Sequence, residues 1–99
     1  MLKAQIDTYF PEAFGRSPAE YIRKYAGRVP LLHIKDKSKD PDEGLTTEIG
    51  RGITDWDAVF AAAGDAGVEW LIVEQNCEVR PALESIRISH DYLRSRGEV

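Results

Sequence analysis

The chain has 99 residues, 42% hydrophobic and 30% charged, with a formal net charge of −4. That balance suits one small globular domain and excludes the disordered and membrane-spanning classes, and an acidic chain lacks the basic stripe that nucleic-acid binding requires. Met1-Leu2-Lys3-Ala4-Gln5 has no apolar stretch of the signal-peptide kind, and Trp70-Leu71-Ile72-Val73 is far too short to span a bilayer, so a cytoplasmic location with no membrane contact is expected.

The first strand-like run is Ile6-Asp7, followed by Pro11-Glu12-Ala13-Phe14-Gly15-Arg16, which reads as a loop. Ser17-Pro18-Ala19-Glu20 opens a helix: serine caps it, proline fits the first turn, and glutamate three residues after serine completes a capping box. Tyr21, Ile22 and Tyr25 give that helix an apolar side, and Gly27 stops it. Val29 to Lys35 is a second strand, with Pro30 expected at its start because proline has no amide to donate.

From Asp36 to Gly52 the chain is polar and glycine-containing, too long for a routine connector and so a candidate binding loop. Thr54-Asp55-Trp56-Asp57 resembles a helix start, and Ile53, Trp56, Val59, Phe60 and Ala63 follow at helical spacing until Gly64 and Gly67. Trp70 to Glu74 is a nearly continuous apolar run closed by a carboxylate, the pattern of a parallel strand covered on both faces. A last helix starts near Pro81 and is expected to turn Leu83, Ile86 and Leu93 inward and Arg87, Arg94, Arg96 and Glu98 to solvent. Cys77, the only cysteine, reads as a semi-buried free thiol, and His90 is assigned no role.

The order is thus β-α-β-α-β-α, an α/β pattern whose right-handed crossovers make the strands parallel. Asp7, His33 and Glu74 then close three strands on one edge, where helix-coated parallel sheets bind ligands. Two carboxylates and one imidazole, with no thiolate, suit Mn²⁺, Mg²⁺, Co²⁺ or Zn²⁺. Lys35, Lys37, Lys39 and Arg51 offer positive groups for a phosphate, carboxylate or hydroxyl, with Lys35 the best placed.

Asp7-Thr8-Tyr9-Phe10, His33-Ile34-Lys35-Asp36, Glu48-x-Gly50-x-Gly52-x-x-Asp55-Trp56 and Val73-Glu74-Gln75 resemble, in this order, the C-terminal part of the xylose-isomerase-like sugar phosphate isomerase/epimerase family. The resemblance implies a partial (β/α)8 TIM barrel, with residues 1–99 forming one C-terminal fragment: three parallel βα units matching the last three strands. It implies a divalent metal held by Asp7, His33 and Glu74, with a further Glu outside the chain. Glu74 would transfer a proton next to a carbonyl through a metal-stabilised enediolate.

The ligand class implied is a small sugar, sugar phosphate or keto acid, contacted by Lys35, Tyr9, Glu48 and Arg51. Arg51 stands where the family often has Glu. An inosose-dehydratase-like lyase, a relative of the endonuclease IV type, or an inactive assembly module are the alternatives. An isolated fragment would expose sheet edges, leave barrel-interior residues such as Ile6 and Leu32 underpacked, and self-associate.

Overall fold

The computed structural model describes residues 2–40, 42, 44–75 and 79–98; Cys77 lies outside them. Along the chain the elements are β1 (Gln5–Asp7), α1 (Tyr9–Ala13), α2 (Pro18–Lys24), β2 (Leu31–Ile34), β3 (Asp36–Lys37), β4 (Thr46–Thr47), α3 (Trp56–Ala66), β5 (Trp70–Val73) and α4 (Ala82–Ser95). No helix among the described residues is long and apolar enough to cross a membrane.

β1, β2 and β5 form a parallel sheet in that spatial order, with Asp7 beside His33 and His33 beside Ile72. Successive side chains on a strand point to opposite faces, so this register sorts the sheet into two sides. Leu32 and Ile34 are fully buried on one side, in a core with Ile22, Val59 and Ala62, and Ile6, Leu71 and Val73 pack against the same core. Full burial of a side chain such as Leu32 contributes roughly 1.5–3 kcal/mol. The opposite side carries Gln5, Leu31, Trp70 and Ile72; Trp70 is 67% exposed there.

These observations correct the barrel expectation. A barrel closes only when every strand has neighbours on both sides, with matched tilt and stagger. Here β1 and β5 each pair with β2 alone, and the remaining two strands, β3 and β4, form a separate antiparallel pair. The fold is a small α/β domain with two unclosed sheets. Ile6 and Leu32 are correspondingly not underpacked: they face the helices, and Leu31, Trp70 and Ile72 occupy the bare side.

Other elements differ from expectation for local reasons. Residues 9–13 are helical although Pro11 lies among them, because the first amides of a helix have no intrahelical acceptor and proline forfeits nothing there. Ser17 is the N-cap of α2 and Pro18 follows it, but the serine side chain makes no capping hydrogen bond, so the capping box does not form. Asp55 does cap α3, accepting from the Ala58 amide at 3.1 Å, and Gly67 ends that helix with φ 81° while Gly64 stays inside it. On α4, Leu83 is 86% and Ile86 46% exposed, and the buried side is Ser85, Ser89 and Leu93.

Candidate metal centre

Asp7 closes β1 and His33 lies inside β2, whereas Glu74 stands one residue past the end of β5, and backbone pairing continues beyond the regular strands. The Thr8 amide donates to the His33 carbonyl at 3.1 Å, and the Glu74 amide donates to the Ile34 carbonyl at 3.0 Å. Thr8 is fully buried, and its hydroxyl donates to the Lys35 carbonyl at 2.8 Å while accepting from the Lys35 amide at 2.9 Å. β1 and β2 are thus bound together just beyond their last pair of residues, directly beneath Asp7 and His33.

Asp7, His33 and Glu74 form a cluster that could coordinate a metal ion: one donor atom from each lies within 4.8 Å of the others. Neighbouring strands are about 4.8 Å apart, so the two outer backbones are separated by about twice that, and side-chain reach closes the gap without barrel curvature. His33 Nδ1 lies 3.2 Å from Glu74 Oε2, and Asp7 Oδ1 accepts from the Tyr9 amide at 2.8 Å, which orients that carboxylate at the start of α1.

Lys35, two residues after His33 and therefore on the same side, places Nζ 3.6 Å from Glu74 Oε1 and 4.0 Å from Asp7 Oδ2. Its ammonium also stands 5.5 Å from the centre of the Tyr9 ring. The hydrogen bond from His33, followed by the charge of Lys35, lowers the Glu74 pKa below the usual carboxylate value. Glu74 therefore stays ionised and available as an oxygen donor near neutral pH.

The other expected ligand-binding residues are placed differently. Glu48 is fully buried against α4 rather than at the sheet edge: its carboxylate accepts from Thr47 Oγ1 at 2.8 Å, Ser85 Oγ at 3.0 Å and the Arg80 guanidinium. Burial pushes the Glu48 pKa up, but the hydrogen bonds from Arg80, its own backbone, Thr47 and Ser85 outweigh it and bring the value to about 2. The Gln75 amide group joins this network, donating to Ser85 Oγ and accepting from Ser89 Oγ at 2.5 Å. Arg51 and Lys39 are exposed, and Lys37 is half-buried in β3. Tyr9 packs edge-on against Phe10, with ring centres 5.6 Å apart.

The loop from Asp36 to Gly52 has an internal organiser. Asp36 is fully buried; its Oδ2 accepts from the Gly50 amide (2.9 Å), the Gly52 amide (3.0 Å) and Trp56 Nε1 (2.8 Å), and its Oδ1 from the Thr54 amide (3.1 Å). A Cβ at Gly52 would collide with the Lys37 carbonyl oxygen, and Gly50 sits at φ 96° with the Tyr92 ring occupying the space a Cβ would need. The Glu-x-Gly-x-Gly-x-x-Asp-Trp run is therefore a structural clasp around Asp36. Thr8, Ser85 and Ser89 were not singled out in the sequence, although Ser85 and Ser89, four apart on α4, form a visible polar stripe.

No known family model matches the chain, and no curated protein matches it. Together with the unclosed sheets, this overturns the xylose-isomerase-like assignment. Isomerase or epimerase activity on sugars or sugar phosphates, and the lyase and endonuclease alternatives drawn from the same barrel, go with it. What stands is the Asp7, His33 and Glu74 cluster on a small α/β domain.

Proposed function

We propose that this domain binds a divalent cation of the Mn²⁺, Mg²⁺, Co²⁺ or Zn²⁺ group through Asp7, His33 and Glu74. The observation that carries the reading is the convergence of three donor atoms within 4.8 Å at one sheet edge. Donors bound to one ion at about 2.1 Å lie at most about 4.2 Å apart, so small side-chain rotations suffice. The donor set is chemically apt, since two carboxylates balance the ion's charge and an imidazole adds affinity for the later transition metals.

Titrating Co²⁺ or Mn²⁺ into the wild-type chain and into His33→Ala tests this. Removal of the imidazole is expected to weaken binding roughly tenfold or more, about 1.4 kcal/mol or above. In the wild type, Co²⁺ should develop visible absorption that the variant lacks. Equal affinities in the two proteins would sink the proposal.

A further inference from the structure

α4 turns Ser85, Ser89 and Leu93 to the interior and leaves a groove of about 700 Å³ between itself, α3 and β5. Its walls are Phe60 and Ala63 of α3, Leu71 and Val73 of β5, and Ile86 and Leu93 of α4, a size and lining suited to a binding cleft. The described lining residues include two carboxylates, Glu69 and Glu98, and no lysine or arginine; His90 Nδ1 stands 3.8 Å from Asp91. Arg96, 5.3 Å from the centre of the Phe60 ring, is paired with Asp57.

One wall of this groove is also a row of backbone groups. The Trp70 amide donates to the Pro30 carbonyl at 3.1 Å and the Glu74 amide to the Ile34 carbonyl at 3.0 Å, so alternate residues from Trp70 onward face β2. The N–H and C=O of Leu71 and Val73 therefore point to the opposite edge, where no strand pairs with β5 among the described residues. Proline and charged residues commonly blunt such an edge, and Trp70-Leu71-Ile72-Val73 has neither.

We propose that the β5 edge docks an extended segment of another protein, apolar at alternate positions and basic at one end. The segment's backbone pairs with Leu71 and Val73, its apolar side chains enter the groove, and its lysine or arginine meets Glu69 and Glu98. Both carboxylates belong to one end of the groove: Glu69 immediately precedes β5, and Glu98 follows α4, which returns toward the start of that strand. Charge complementarity favours a basic partner over a second copy. Pairing β5 with its own counterpart would set acidic ends against acidic ends, since Glu69 and Glu74 flank the strand, between chains that each carry a net charge of −4.

Fluorescently labelled Lys-Lys-Val-Thr-Val-Thr-Val and its reversed sequence, titrated with the full chain and followed by anisotropy, cover both strand directions. One of the two is expected to bind. N-methylation of its amides that face β5 should weaken binding about tenfold or more, whereas N-methylation of the other alternate set should leave it unchanged. The double variant Glu69→Gln, Glu98→Gln, with folding checked by circular dichroism, should bind about fivefold more weakly, and the wild-type affinity should fall with added salt. The methylated peptides leave the protein unaltered, so they decide the matter if the double variant does not fold. Equal effects of the two methylation sets, unchanged affinity in a folded double variant, or equally tight binding of Glu-Glu-Val-Thr-Val-Thr-Val would overturn the proposal. Absence of binding by either peptide would do the same, and a dimer found by sedimentation in place of the peptide complex would assign the edge to a second copy.

Discussion

Asp36 and Asp7 lie on adjacent stretches of the same fold and carry the same carboxylate, but their surroundings differ in kind. Asp36 is fully buried and accepts from four donors contributed by Gly50, Gly52, Thr54 and Trp56. Asp7 accepts from one amide and shares Lys35 at 4.0 Å with Glu74. A carboxylate surrounded by fixed donors organises the chain around itself, whereas one with open lone pairs can take a ligand. The contrast extends to Glu48, which is saturated and buried, and Glu74, which is half-exposed beside His33.

Substitutions at the saturated centre should therefore cost folding, and substitutions at the open centre should cost binding. Asp36→Ala strands four donors in the interior and should lose on the order of 5 kcal/mol in urea unfolding, most of the stability of a small domain. Gly52→Ala forces a methyl against a backbone carbonyl and should lose about 2–3 kcal/mol in the same measurement.

Glu48 should show itself in the pH dependence of stability. Its carboxyl titrates near 4.5 when unfolded and at about 2 in the fold, so the unfolded chain takes up the proton first. The stabilisation is fully present above the unfolded value and is lost as pH falls toward about 2, amounting to about 3 kcal/mol. In Glu48→Gln that slope should disappear; an unchanged profile would break the contrast at this residue.

At the open centre, Mn²⁺ at 100 times the wild-type dissociation constant should raise the wild-type unfolding free energy by about 2.7 kcal/mol and that of His33→Ala by about 1.4 kcal/mol or less. Glu74→Gln should have the smallest effect on metal-free stability, within about 0.5 kcal/mol, because an exposed pair contributes little. It should nevertheless lower metal affinity. A large loss of stability in Glu74→Gln would show that the two centres do not differ as described.

The open centre was legible in the sequence because its parts are local. A short apolar run closed by Asp7, His33 or Glu74 states strand, edge and donor at once, and the alternation of His33 and Lys35 puts both on one side. The saturated centre was not legible. Asp36 gathers donors 14 to 20 residues away, so the segment holding them looked like an open polar loop rather than a clasp. α4 misled for a related reason: apolar spacing pointed to Leu83 and Ile86 as its inner face, but the buried Glu48 and the half-buried Gln75 required hydroxyls, and Ser85 and Ser89 turn inward instead.

The sequence by itself determined the alternation of strands and helices, the parallel direction of β1, β2 and β5, and the identity of three donor side chains at their ends, since these follow from periodicity, crossover handedness and residue chemistry within a few positions. Only the tertiary structure decided that the sheet stays open, which of its faces is bare, and that the three donors approach within 4.8 Å while Glu48 and Asp36 are sealed inside. Those outcomes depend on which distant groups meet. Strand pairing and hydrogen-bond saturation are properties of the packed chain, and no local window of residues contains them.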